Sequence, residues 1–171
     1  MAELDFDVVE LGPADHPEDG DTAPDFTRPL VNDEYWEDRS LADNCAQSDD
    51  PVVLIFHSMD GAFPATYLWN EVRDRAWHED ATVVGLSIST PYAHKDLLAE
   101  RGIEGEARLF SDPANGVAES YGIGMELDGM EGVAEPRPAI FVLDSDRTVE
   151  YVWVGQEWPA FPDYDAVETQ L

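Results

Sequence analysis

The chain has 171 residues, 43% of them apolar and 11% aromatic, enough to bury one core and too few to suggest a second domain. Its 38 acidic residues against 9 Lys and Arg give a formal net charge of −29, spread along the sequence rather than gathered in a tail. Phosphate backbones and anionic membranes repel such a polyanion, and no Lys/Arg cluster offsets the repulsion, so nucleic acid and membrane partners are excluded from the reading.

Among the basic residues only Lys95 is a lysine. A shell of carboxylates repels itself in dilute buffer, whereas molar salt shortens the Debye length to about 3 Å and removes most of that repulsion. The composition therefore points to a salt-rich cytoplasm. The first residues, Met1 to Asp7, lack a positive stretch followed by an apolar run, so no signal peptide is expected. Val52 to Phe56, the longest apolar run, is far too short to span a bilayer. A single cysteine, Cys45, allows no internal disulfide, in keeping with a cytoplasmic protein.

In chain order, residues 12–25 are rich in Pro, Gly and Asp and read as irregular, and the expected domain spans 1–171 with an irregular segment over 1–25. Val52-Val-Leu-Ile-Phe56 reads as a strand covered on both faces. Leu68, Trp69, Val72 and Ala76 recur at helical spacing between Ala65 and Trp77, and Thr82 to Ile88 gives a second buried strand, hence a parallel βαβ unit. Thr90-Pro91 supplies a cap and first-turn proline for a helix over Tyr92 to Arg101, closed by Gly102. A short helix is expected over Gly116 to Tyr121. Residues 124–136 carry three glycines and no period and read as a mobile loop. Ala139 to Leu143, a turn at Asp144 to Arg147, and Thr148 to Val154 read as an antiparallel hairpin, and Asp163 could cap a last helix. The order βαβ, helix, ββ, helix is that of an α/β chain with a thioredoxin-like fold, a mixed central sheet flanked by helices.

Residues 56–74, Phe-His-Ser-Met-Asp-Gly-Ala-Phe-Pro-Ala-Thr-Tyr-Leu-Trp-Asn-Glu-Val-Arg-Asp, resemble the active-site segment of the peroxiredoxins, the alkyl hydroperoxide reductase and thiol-specific antioxidant family. Phe56, Thr66, Arg73 and Asp74 agree with that pattern. Ser58, Ala62, Ala65 and Leu68 stand where the family has proline, threonine, the peroxidatic cysteine and glutamate. Four such changes argue against Ala65 being a lone engineered substitution. The resemblance continues in order through Gly20 to Phe26, Arg39 to Asp43, Val84 to Ile88 with Tyr92 to Lys95, Leu109 to Pro113 with Val117 to Gly122, and Arg137 to Asp144. It implies the thioredoxin-like fold and, for intact members, a thiol-dependent peroxidase in which Arg137 matches the pocket arginine.

Peroxide reduction needs a thiolate to attack the O–O bond, and an alanine methyl cannot do so. The expectation is a redoxin-domain protein without peroxidase activity that works by binding, with Arg137, Thr66, Ser58 and the helix start near Ala62 to Thr66 available to a small anion or carboxylate. The plainer alternative pairs Arg137 with one of the many acidic residues. A second reading is a thiol peroxidase using Cys45 with an external reductant, set against a merely packed cysteine whose neighbours Asp43, Asp49 and Asp50 would raise its pKa. A third is a scaffold that dimerises with itself or with a related peroxiredoxin. Trp69, Trp77, Trp153 and Trp158 could form an interaction face or simply fill the core. His16, His57, His78 and His94 share no metal-ligand spacing and read as surface or packing residues; no metal or cofactor is expected.

Overall fold

The computed structural model describes residues 8–126 and 130–171. In chain order the elements are β1 (Val9–Glu10), β2 (Thr27–Val31), β3 (Trp36–Ser40), α1 (Leu41–Gln47), β4 (Val52–Phe56), α2 (Phe63–Asp74), β5 (Thr82–Ser87) and α3 (Pro91–Arg101). There follow β6 (Ala107–Ser111), α4 (Gly116–Ser120), β7 (Gly124–Glu126), β8 (Ala134–Pro136), β9 (Ala139–Leu143), β10 (Val149–Val154), β11 (Glu157–Trp158) and α5 (Tyr164–Glu168).

A seven-stranded mixed sheet, ordered β10-β9-β4-β5-β6-β2-β3, carries the fold. β4, β5 and β6 are parallel, and the flanking β9 and β2 run antiparallel to them. β4 is wholly buried because it is sandwiched between two layers, and its residues alternate between them. Val52, Leu54 and Phe56 pack with Leu41, Cys45, Val117, Tyr121 and Phe141 on one face. Val53 and Ile55 pack with Trp69, Leu98, Ile140 and Val142 on the other. Thus α1 and α4 cover one side of the sheet and α2, α3 and α5 the other.

The local signals behave as the residues dictate. The Thr90 hydroxyl accepts from the Ala93 N–H, Pro91 opens α3, and Gly102 closes it in the left-handed region at φ 66°. Asp163 caps α5 through the Ala166 N–H. α2 begins two residues earlier than its apolar period suggests, because Pro64 fits a first helical turn.

Two expectations need correction, and four elements carry no local signal. Residues 124–136 are not all loop: Gly124, Met125 and Glu126 pair antiparallel with Pro136, Glu135 and Ala134, while 127–129 lie outside the described residues. Three-residue strands leave no readable period, and cross-strand bonds rather than propensity define this ribbon. The segment 1–25 is likewise not uniformly irregular, since Val9 and Glu10 pair with Trp158 and Glu157. Finally, β2, β3, α1 and β6 had no predicted counterpart. β3 is a charged edge strand, Trp-Glu-Asp-Arg-Ser, whose composition suits sheet-edge protection and masks its strand character.

Candidate functional site

The parallel strand β4 delivers the chain into a tight turn, residues 57–62, and then into α2. Gly61 takes φ 89° there, and the Ala62 N–H bonds back to the Met59 carbonyl. Ala62 occupies the cap position of α2 without a side-chain hydrogen bond, and Ala65 lies in the first turn, fully buried. The positive end of a helix favours an anion such as a thiolate at this place. A methyl group fills it instead.

Around the turn lies a buried polar network. The Asp60 carboxylate meets His94 Nδ1 at 2.6 Å and accepts from the Ser87 hydroxyl at 3.2 Å, while the Asp60 N–H bonds to Ser89 Oγ. His94 Nε2 donates to the Phe110 carbonyl at 2.9 Å, which fixes a proton on that nitrogen. Burial by itself would raise the Asp60 pKa. The His94 bond and charge, with help from His57 and Ser87, outweigh it and hold the carboxyl below its ordinary value.

His57 is buried beside this pair, with its ring 6.2 Å from that of His94 and edge-on to Trp69 at 5.3 Å. Its Nδ1 lies 2.8 Å from the Ser58 carbonyl, an acceptor only, so Nδ1 carries the proton and Nε2 is bare, with no partner among the described residues. Burial lowers its pKa to about 4, against the opposing pull of Asp60. Glu135, on β8, reaches across to accept the Met59 N–H at 3.0 Å. Burial pushes its carboxyl up to about 7, partly offset by that bond and by the Ser58 hydroxyl, which sits nearby outside hydrogen-bond geometry.

The predicted ligand residues are not gathered into one cavity. Arg137 is buried and has no acidic partner among the described residues: Nη1 donates to the Gly12 carbonyl at 2.7 Å, Nη2 to the Leu11 carbonyl at 2.8 Å, and Nε is buried with no partner among them. Ser58 is buried near Glu135. Thr66 lines a cavity of about 190 Å³ together with Asp60, Gly61, Asp96, Glu100 and Arg101, and Arg137 is not among the lining residues. Three carboxylates against one guanidinium make that cavity unwelcoming to an anion. Arg137 does stand at the correct end of the sheet, two residues before Ala139, which pairs with the last residue of β4.

Cys45 sits on α1, buried on the sheet face opposite Ala65. Desolvation raises its pKa to about 11, with Arg147 opposing and Asp144 and Asp25 adding. The direction matches the sequence argument, but the carboxylates responsible are distant in sequence and are not Asp43, Asp49 or Asp50. Trp69 and Trp77 are core residues, and Trp153 and Trp158 are half-buried, whereas the exposed aromatics nearest α2 are Tyr67 and Phe161. His16 bonds the Pro17 carbonyl and His78 faces Glu106 at 3.8 Å. Sequence reasoning missed the Asp60–His94 pair and Glu135, whose partners lie 34 and 76 residues away.

The sheet order, the β4–α2 turn and the arginine beside it define a class of protein. A thiol peroxidase from Chromobacterium violaceum superposes with a TM-score of 0.73 at 21% identity, covering 94% of this chain and 88% of that one, and the fold is thioredoxin-like. The peroxidoxin BcpB of Mycobacterium tuberculosis superposes with a TM-score of 0.67 at 29% identity over 81% of this chain and 86% of that one. In sequence, a thiol peroxidase of Staphylococcus aureus (strain MRSA252) is 30% identical over 148 residues, 86% of this chain and 84% of the relative. The AhpC/TSA family matches residues 20–152, and the chain belongs to that family. Among the described residues no helix is long and apolar enough to cross a membrane.

Proposed function

We propose that this chain is a single-domain peroxiredoxin relative that has lost thiol peroxidase chemistry and acts by binding, in a salt-rich cytoplasm. The observation that carries the reading is the separation of thiol from site: the first turn of α2 holds Ala65, and the sole thiol, Cys45, is buried on the other face of the sheet with its pKa pushed up to about 11. A peroxidatic thiol needs thiolate character and access, and Cys45 has neither. Peroxide consumption in molar KCl with a dithiol reductant tests this. The expected rate equals buffer and is unchanged in Cys45→Ser; rapid turnover abolished by the serine variant overturns the reading.

Arg137 is the ligand position we favour, for chloride or a small carboxylate such as formate. Among the described residues its buried guanidinium meets only the neutral Gly12 and Leu11 carbonyls, and Nε finds no acceptor there, in a chain of 38 acidic residues. A carboxylate would supply a charge-assisted, two-pronged partner. Titration calorimetry with formate should give saturable binding that Arg137→Ala weakens at least tenfold; no binding to the parent discards this ligand. The high-salt reading rests on the net charge of −29. It predicts a higher thermal unfolding midpoint in molar KCl than at low salt, followed by circular dichroism, and equal midpoints would refute it.

A further inference from the structure

Resting on the reading of Arg137 as a ligand position, we propose that residues Val9–Gly12 are a displaceable cover on it, their carbonyl oxygens holding the place of a carboxylate's two oxygens. A guanidinium fork matches two oxygens in its plane, and the Gly12 and Leu11 carbonyls provide such a pair at 2.7 and 2.8 Å. They carry no net charge, so a buried cation gains less from them than from a carboxylate, and Nε has no partner among the described residues.

The cover is held lightly. Its ladder to β11 has two residue pairs, one of which sets Glu10 opposite Glu157, a like-charge pairing that weakens a ladder. Among the described residues one further backbone bond runs from the Leu11 N–H to the Gln156 carbonyl at 2.9 Å, and Val8 and Val9 are exposed. A few residues later the chain is pinned. The Asp15 carbonyl packs against Gly122, in the left-handed region at φ 71°, so closely that no Cβ would fit between them. Between the loose and pinned parts stand Gly12, at φ 72°, and Pro13. The segment thus pivots at Gly12 while residues beyond Asp15 stay in place.

A ligand that binds only the uncovered state has its affinity reduced by the fraction of molecules uncovered. Gly12→Pro forbids the positive φ that aims the Gly12 carbonyl at Arg137 and should release the cover without touching the core. Formate titrated at constant molar potassium should bind Gly12→Pro at least tenfold more tightly than the parent, and Arg137→Gln in the same background should abolish the gain. In the parent, formate should speed deuterium exchange at the Leu11 amide, the reverse of the usual protection by a ligand. Equal formate affinity in the parent and a folded Gly12→Pro discards the cover and leaves the ligand site standing. Absence of binding in both discards the two together. If Gly12→Pro does not fold, the parent exchange experiment decides, and slowed or unchanged exchange at Leu11 overturns the proposal.

Discussion

The two faces of the central sheet are built from alternate residues of the same strands, yet they have opposite relations to chemistry. On the α2 face the turn that could activate a nucleophile remains, with a buried helix start and the hydrogen-bonded Asp60–His94 pair. It lacks a thiol. On the α1 face the thiol is present, but desolvation suppresses its ionisation. Reactivity therefore depends on where the fold puts a sulfur atom, and the presence of a cysteine in the sequence says little about it.

Cys45 gives the largest test of that contrast. At pH 8, labelling by a thiol reagent in the folded protein should be at least ~100-fold slower than in the unfolded chain, since raising a pKa from 9.0 to about 11 alone removes about that much thiolate. Fast labelling of the folded state would erase the distinction between the faces.

The polar network on the α2 face should show itself in pH dependence. Glu135 binds its proton more tightly folded, about 7 against 4.5, so its contribution to stability falls as pH rises through that window, by as much as about 3 kcal/mol. His57 does the reverse: the unfolded chain holds the proton more tightly between about 4 and 6.5, so stability rises with pH there by a similar amount. Between pH 4.5 and 6.5 the two slopes oppose each other. Glu135→Gln keeps an acceptor for the Met59 N–H and removes one slope, so between pH 4.5 and 8 its stability should gain about 3 kcal/mol on the parent. Denaturant titrations in molar salt measure the difference, in which the surface carboxylates common to both proteins cancel. A pH-independent difference would mean that Glu135 is not held as described.

Packing on the same face is tight where Trp69 lies over β5. A Cβ at Gly85 would come 2.5 Å from the indole and 2.7 Å from Leu109, so Gly85→Ala should cost about 1–3 kcal/mol by overpacking. A neutral result would show slack above β5. The smallest effect belongs to the α1 face, where the Ser40 hydroxyl caps the helix that carries Cys45 by accepting the Asp43 N–H at 3.0 Å. Ser40→Ala should cost about 1 kcal/mol and raise the Cys45 labelling rate several-fold through easier opening. Destabilisation with unchanged labelling would separate α1 from the protection of the thiol.

Much of the scaffold was legible because it depends on neighbours along the chain. The run Val52 to Phe56, the helical recurrence of Leu68, Trp69 and Val72, the Thr90-Pro91 cap and the Asp163 cap all encode their elements locally. The β7–β8 ribbon, the charged edge strand β3 and the pairing of β1 with β11 were not legible, since short or polar strands exist through partners that no local pattern names. At the site, the replacement of the expected cysteine by Ala65 was plain in the sequence. That the Arg137 guanidinium turns to Leu11 and Gly12, 126 and 125 residues away, was not.

The sequence by itself determined the α/β class, the order of the βαβ core, the family resemblance, the acidic charge and the absence of a thiol at the start of α2. Each of these follows from residue type, period or local spacing. Tertiary structure alone decided which face Cys45 occupies, that His94 finds Asp60, that burial lifts the Glu135 and lowers the His57 pKa, and that Arg137 meets the Leu11 and Gly12 carbonyls. Those outcomes depend on desolvation and on contacts between segments far apart in the chain, and both arise only when the sheet brings the segments together.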